Sequence, residues 1–221
     1  AEVYTANIEG SGNCPTDNAQ QYLFSAETAT PGDLIWSANG EALYYSLQGI
    51  REYQFSTGVL SDELTQTSGF GPDFGFAFSP TNPAQLAYIQ RGGTATTGRL
   101  SFGTGFIIDV TQLPPTVSST IAIPGEIVYL HWRADGETIV FSSSNSINTF
   151  SLDTSSATPV LSGLAIPPRA IFNELTEDYI FVGISPELPG VQQVLVANRR
   201  GRTTALTAHT EGTVSDLIWI P

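Results

Sequence analysis

Apolar and polar positions alternate along this chain in short runs, and a helical period is absent. Runs of four to eight residues rich in β-branched and aromatic side chains are separated by clusters of Gly, Pro, Asn and Asp. Ala42–Ser46, Gln85–Gln90, Thr138–Ser142, Tyr179–Gly183 and Gln193–Ala197 are the clearest. Each predicts a β-strand, because a pleated strand points successive side chains to opposite faces and turn residues bound it. Many short strands at regular spacing narrow the fold to a sandwich, a barrel or a propeller.

Internal repetition separates these three. GDLIWSANGEALYYS (Gly32–Ser46) is repeated as EIVYLHWRADGETIVFSS (Glu126–Ser143). Phe74–Gln90 is a looser copy with a longer turn, and Arg169–Ile184 is looser still. Each copy is an apolar strand ending in an aromatic, a polar turn and a second apolar strand. Asn39-Gly40 and Asp135-Gly136 are expected to supply the positive-φ positions of a tight hairpin. The terminal aromatics Trp36, Phe78, Trp132 and Phe172 are expected to pack between neighbouring sheets, where a large ring buries much apolar area. A fifth copy is split: Ser215–Pro221 reads SDLIWIP, matching GDLIW, and the chain opens with AEVYTAN, which looks like the second strand of the same hairpin. Counting the split copy, the aromatic markers recur every ~38 to 54 residues, the span of a propeller blade. Joining the first and last segments in one blade closes the ring and removes open sheet edges.

Trp36-Ser37-Ala38-Asn39-Gly40 and Trp132-Arg133-Ala134-Asp135-Gly136 resemble the Trp-Ser-Pro-Asp-Gly repeat of the TolB-like, WD-repeat-like propeller family. Phe78-Ser79-Pro80 keeps the start of that motif and Phe172 only its aromatic. The resemblance implies an all-β propeller and says almost nothing of function. Combined with the spacing, it predicts one domain over residues 1–221 with five blades of up to four antiparallel strands. The blades are expected over 32–70, 71–124, 125–166 and 167–212, with 213–221 joined to 1–31 as the fifth. A piece of a longer propeller is the alternative.

Composition changes the picture chiefly through charge. The 221 residues carry 21 acidic and 8 basic side chains, for a formal charge of -13. Every basic residue is arginine. Nucleic acid and anionic membrane surfaces, which demand a basic patch, are therefore excluded as expected partners. A hydrophobic share of 41% argues against disorder. No apolar run approaches the ~18 residues of a membrane-spanning helix, so membrane insertion is not expected. The lone cysteine, Cys14, rules out an internal disulfide and a multi-cysteine zinc site. It lies among turn formers and is expected on a loop, free or linked to a second chain. The Ala1 start and the lack of Met suit a mature chain after signal cleavage, which predicts a secreted, periplasmic or cell-surface protein.

Candidate chemistry is sparse. Three residues before the aromatic markers stand Asp33, Gly75, Tyr129, Arg169 and Asp216. In a propeller these positions share one mouth of the central channel. Asp33, Arg169 and Asp216 are thus the candidate binding residues, suited to a cation, a sugar hydroxyl or a partner's basic side chain. The plainer reading is that each satisfies backbone groups or water. Asp33, Asp73, Glu126 and Asp216 are formal candidates for the two carboxylates of a glycosidase. No motif of such an enzyme surrounds them. His131, beside Trp132, reads as packed and hydrogen-bonded, and His209 as solvated. Arg91–Gly105 reads as a long hairpin tip, and the NRRGR run (Asn198–Arg202) as a turn or a small anion patch. No nucleophile elbow, phosphate loop or calcium loop is present, and no cofactor is expected. The reading that follows is a non-catalytic binding or scaffold module contacting a protein or glycan through loops. A carbohydrate-active hydrolase and a subunit that assembles with its own copies in a surface polymer are the alternatives.

Overall fold

A computed structural model describes residues 2–6, 20–25, 33–37, 39–46, 49–65, 73–94, 101–111 and 121–214. The chain is all-β among these residues. Four sheets of four antiparallel strands follow one another in sequence, each a simple meander. The first holds β3 (Leu34–Trp36), β4 (Ala42–Ser46), β5 (Ile50–Gln54) and β6 (Val59–Leu60). The second holds β7 (Phe74–Phe78), β8 (Gln85–Thr94), β9 (Ser101–Asp109) and β10 (Ile121–Ile127). β11 (Tyr129–Trp132), β12 (Thr138–Ser142), β13 (Ser146–Ser151) and β14 (Ser156–Ser162) form the third. β15 (Ala170–Asn173), β16 (Asp178–Ile184), β17 (Gln192–Ala197) and β18 (Thr203–Ala205) form the fourth. A separate pair joins β1 (Glu2–Ala6) to β2 (Gln20–Ser25).

These sheets pack face to face in chain order, like blades. Tyr44, Phe76, Leu86 and Ile108 join sheets one and two. Ile89, Ile123, Leu130, Trp132 and Phe141 join two and three. Val140, Ile147, Phe181 and Leu195 join three and four. Central strands are buried on both faces, which is why all five residues of β4 are buried. The outer strands of sheets three and four are exposed: β14 carries Pro159 and β18 is three residues long, both of which blunt an edge against pairing. The first strands lie side by side at the inner edge, β11 next to both β7 and β15.

The hairpin turns differ from expectation in one detail. Only the glycines take positive φ, Gly40 at 73° and Gly136 at 67°. Asn39 and Asp135 instead accept backbone bonds from Glu41 (3.1 Å) and Glu137 (2.9 Å), the side chain mimicking a turn. The third blade also starts later than expected. Ile127 still belongs to β10, which a bulge after Ile123 carries past Gly125, so Glu126 sits on an exposed outer strand of sheet two. The long hairpin is as expected, with Thr94 opposite Ser101.

Three marker aromatics follow one rule: Phe78, Trp132 and Phe172 each face the preceding sheet. Phe78 meets Tyr44 edge-on at 4.7 Å. Trp132 is 8% exposed, and its Nε1 donates to the carbonyl of Ala77 at 2.9 Å. Phe172 lies under the Arg133 guanidinium, 4.2 Å from the ring centre. Trp36 departs from the expected burial. It stacks on Phe55 of its own blade (5.0 Å, 14°) and is 53% exposed.

Candidate functional site

Strand direction gives the stack of blades two ends. Asp33 precedes β3, and Ser37 follows it, so they lie at opposite ends. The first hairpin turn of each blade shares an end with the turn after its third strand. At that end, blades one and two part to leave a cleft of about 570 Å³. Its walls are loops and strand ends: Ser37, Asn39 and Glu41 on the first turn, Pro83 and Ala84 on the next blade's turn, and Val110 and Thr111 after β9. The floor is made by Tyr44, Glu52 and Gln54.

Register places the floor. Tyr44 on β4 is paired directly with Glu52 on β5, and the Tyr44 hydroxyl donates to Glu52 Oε1 at 2.9 Å. Gln54 Nε2 donates to the same oxygen. Burial, then the Glu52 charge, pushes the Tyr44 phenol pKa upward, so it stays a donor. On the wall, Asn39 Nδ2 donates to Glu41 Oε2 at 2.8 Å while its Oδ1 accepts from Ser37 at 2.7 Å. Among the described residues the cleft is therefore lined by two carboxylates held by neutral donors and by no cationic side chain. An electronegative concavity with a fixed carboxylate suits a cationic group, since a preset carboxylate loses little freedom when it pairs.

Sequence reasoning missed these residues, although a signal existed. The residue after each marker's hairpin partner is Ala87, Val140 or Ile180 in the other sheets, opposite Ile107, Thr149 or Val196. Blade one alone of the four sheets has Tyr and Glu there.

At the opposite end, Asp33 is exposed, and its carboxylate accepts the backbone N–H of Gly75 at the head of β7. It ties blade one to blade two, as the plainer reading expects of a polar residue at this position. Arg169 is exposed just ahead of β15. Asp216, like Cys14 and Trp219, lies outside the described residues, so the convergence of Asp33 and Arg169 with it is not on view. His131 is another tie: its Nε2 accepts from Phe172 N–H of blade four at 3.1 Å. Burial holds its pKa down at about 4, so the imidazole is neutral and accepts. Glu174 repeats the device, accepting from Arg133 (3.2 Å) and from the Ala134 N–H (2.8 Å) of blade three. His209 is exposed, as expected.

Of the carboxyls considered for catalysis, Asp73 has its pKa pushed up, to about 7, by burial. It is 0% exposed and takes a 2.6 Å bond from Thr65 Oγ1. It precedes β7, at the end away from the cleft. Among the described residues no group of His, Cys, Asp and Glu is placed to hold a metal ion.

No protein-family model matches the chain, and no curated protein matches it. Solved structures match its fold. TolB from Acinetobacter baumannii superposes with a TM-score of 0.60 at 12% identity, over 86% of this chain and 46% of that one. A chain of the mitotic checkpoint complex gives 0.59 at 14%, over 83% and 53%. An oligogalacturonate lyase in complex with manganese gives 0.58 at 11%, over 81% and 50%. The fold is a TolB-like β-propeller. The chain spans about half the length of these structures.

Proposed function

We propose that the protein is a non-catalytic binding module, acting outside the cytoplasm, that takes a positively charged side chain of a protein partner into the cleft between blades one and two. The Tyr44–Glu52 pair carries this reading: a polar pair at a position that is apolar or small in the neighbouring sheets, opening into a loop-walled cleft. The net charge of -13 adds a long-range pull on a basic partner. A glycosidase needs one carboxyl held protonated near working pH. Asp73, whose pKa is raised, is sealed inside a blade joint, which favours binding over catalysis. We read the β1–β2 pair as part of a fifth blade that closes the ring.

The test is calorimetric titration with an acetylated Gly-Arg-Gly-Arg-Gly peptide at low salt, beside a neutral tetrasaccharide. Glu52→Gln should weaken peptide binding about tenfold, roughly the coupling of one close charge pair. Asp33→Asn, at the far end, should leave it unchanged. Failure of the peptide to bind, or binding indifferent to Glu52→Gln, refutes the cleft. Tetrasaccharide cleavage lost in Glu52→Gln would make the protein an enzyme.

A further inference from the structure

Three of the chain's eight arginines fall within Asn198–Arg202, on a protein of net charge -13. One residue braces the turn that carries them. Asn198 Oδ1 accepts from the N–H groups of Arg200 (3.0 Å) and Arg202 (3.1 Å), and the Asn198 carbonyl accepts from Gly201 N–H at 2.8 Å. Gly201 takes φ 73°, which lets the chain double back. The three arginines are not equivalent. Arg199 pairs with Glu177 on the first turn of the same blade. Arg200 and Arg202 are exposed and make no ion pair among the described residues. A charged turn held by its own backbone loses little freedom when it docks.

Strand direction puts this turn and the acidic cleft on one face of the stack. Asn198–Arg202 follows β17, the third strand of blade four, and so lies at the end that holds the first hairpin turns. The Arg199–Glu177 pair ties it to the first turn of its own blade. There Leu175 is 88% exposed, the most exposed large apolar side chain among the described residues. The face thus carries two complementary features on different blades. Blade four presents two arginines and an apolar knob. Between blades one and two lies the cleft, with Glu41 and Glu52 inside and Pro83 and Ala84 on its rim. Among the described residues nothing from blade four lines the cleft, so the chain's own turn does not fill it.

We propose that the cationic partner is a second copy of this chain, docked face to face, with Arg200 and Arg202 of each copy entering the cleft of the other and Leu175 resting on Pro83 and Ala84. This rests on the cleft reading and names its occupant. The symmetry follows from the placement. Two patches on one face are exchanged by a twofold axis that lies in the plane of contact, midway between them. A single rotation then seats both turns in both clefts, which gives a closed dimer with two identical pairings. Patches at opposite ends would instead chain copies head to tail. Two copies of charge -13 repel at long range. At about 0.15 M salt that repulsion is screened beyond ~8 Å, while pairs in contact survive.

Sedimentation velocity of the full chain at about 0.15 M salt, over about a hundredfold range of concentration, tests this. The native chain should pass reversibly from monomer to dimer and form nothing larger. Glu52→Gln should raise the dimer Kd about a hundredfold, roughly tenfold for each of two pairings. Arg200→Ala/Arg202→Ala should do at least as much. Mixing the two variants in equal amounts should recover about tenfold of the loss, because a mixed pair keeps one intact pairing. Should Glu52→Gln fail to fold, Glu41→Gln on the exposed wall takes its place. Asp33→Asn, at the far end, should dimerise as the native chain does. A dimer indifferent to the cleft variant or to the arginine variant overturns the inference. So do assemblies beyond the dimer, and so does a mixture that recovers nothing while both variants keep the native circular dichroism. The peptide titration separates the two readings. A native chain that binds the Gly-Arg-Gly-Arg-Gly peptide but stays monomeric keeps its cleft and loses this partner, whereas one that does neither loses both.

Discussion

Replacing Asp73 by Asn should stabilise the protein at neutral pH and leave it unchanged in acid. The carboxyl is fully buried at the joint of blades one and two. Its Oδ2 accepts from Thr65, and its Oδ1 has no partner among the described residues. Burial raises its pKa from 3.8 to about 7, against the smaller pull of the Thr65 bond and the Arg91 charge. Between these two values the folded chain keeps a proton that the unfolded chain has released. Stability therefore falls as pH rises from about 4 to about 7 and is level above. About three pH units at 1.36 kcal/mol each sets the full loss at about 4 kcal/mol. Asn presents a neutral amide with the same acceptor for Thr65 and does not titrate.

His131 produces the opposite slope. Its pKa is lowered from 6.5 to about 4, so its contribution is present above pH 6.5 and is lost as pH falls toward 4, about 3 kcal/mol in all. The two slopes oppose each other in the native protein. The difference between native and Asp73→Asn removes His131 from the comparison. Urea unfolding followed by tryptophan fluorescence at half-unit steps from pH 4 to 8 measures it. The variant's advantage should grow from near zero at pH 4 to as much as ~4 kcal/mol at pH 8. An advantage that is constant with pH, or that shrinks as pH rises, refutes the reasoning.

Other substitutions test the joints and turns. Trp132→Phe keeps the buried ring but strands the Ala77 carbonyl, and should lower stability by ~1–2 kcal/mol in denaturant melts. Glu177 sits at φ 58°, a left-handed conformation that a side chain resists. Glu177→Gly should raise stability by ~1 kcal/mol, because its exposed pairing with Arg199 contributes little. Gly136→Ala and Gly40→Ala both meet a positive φ, but a Cβ at Gly136 would strike Thr81 of blade two while Gly40 has open space around it. The first should cost ~1–3 kcal/mol more than the second, read as a difference in urea midpoint.

Short-range chemistry was legible in the sequence. Period-two alternation, Asn39-Gly40 and Asp135-Gly136 gave away the hairpins, and the recurring aromatics gave away the blades, because strand and turn preferences act within a few residues. The place of Asp33 directly ahead of β3 could be read the same way, but its partner could not. Gly75 lies 42 residues on, and only the packing of two blades brings its N–H to the carboxylate. The cleft depends on distance along the chain in the same manner. Glu52 meets Tyr44 through register across a hairpin, and Pro83 and Thr111 close the space from the next sheet. Asp73 looks in the sequence like any turn carboxylate, and it is the burial imposed by neighbouring blades that holds its proton. Exposure of Trp36 and burial of Trp132, two residues with one motif, are decided by which sheet lies on the preceding side. Hydrogen bonds within a strand pair are local, whereas desolvation, charge and shape at a joint are properties of surfaces that only folding brings together.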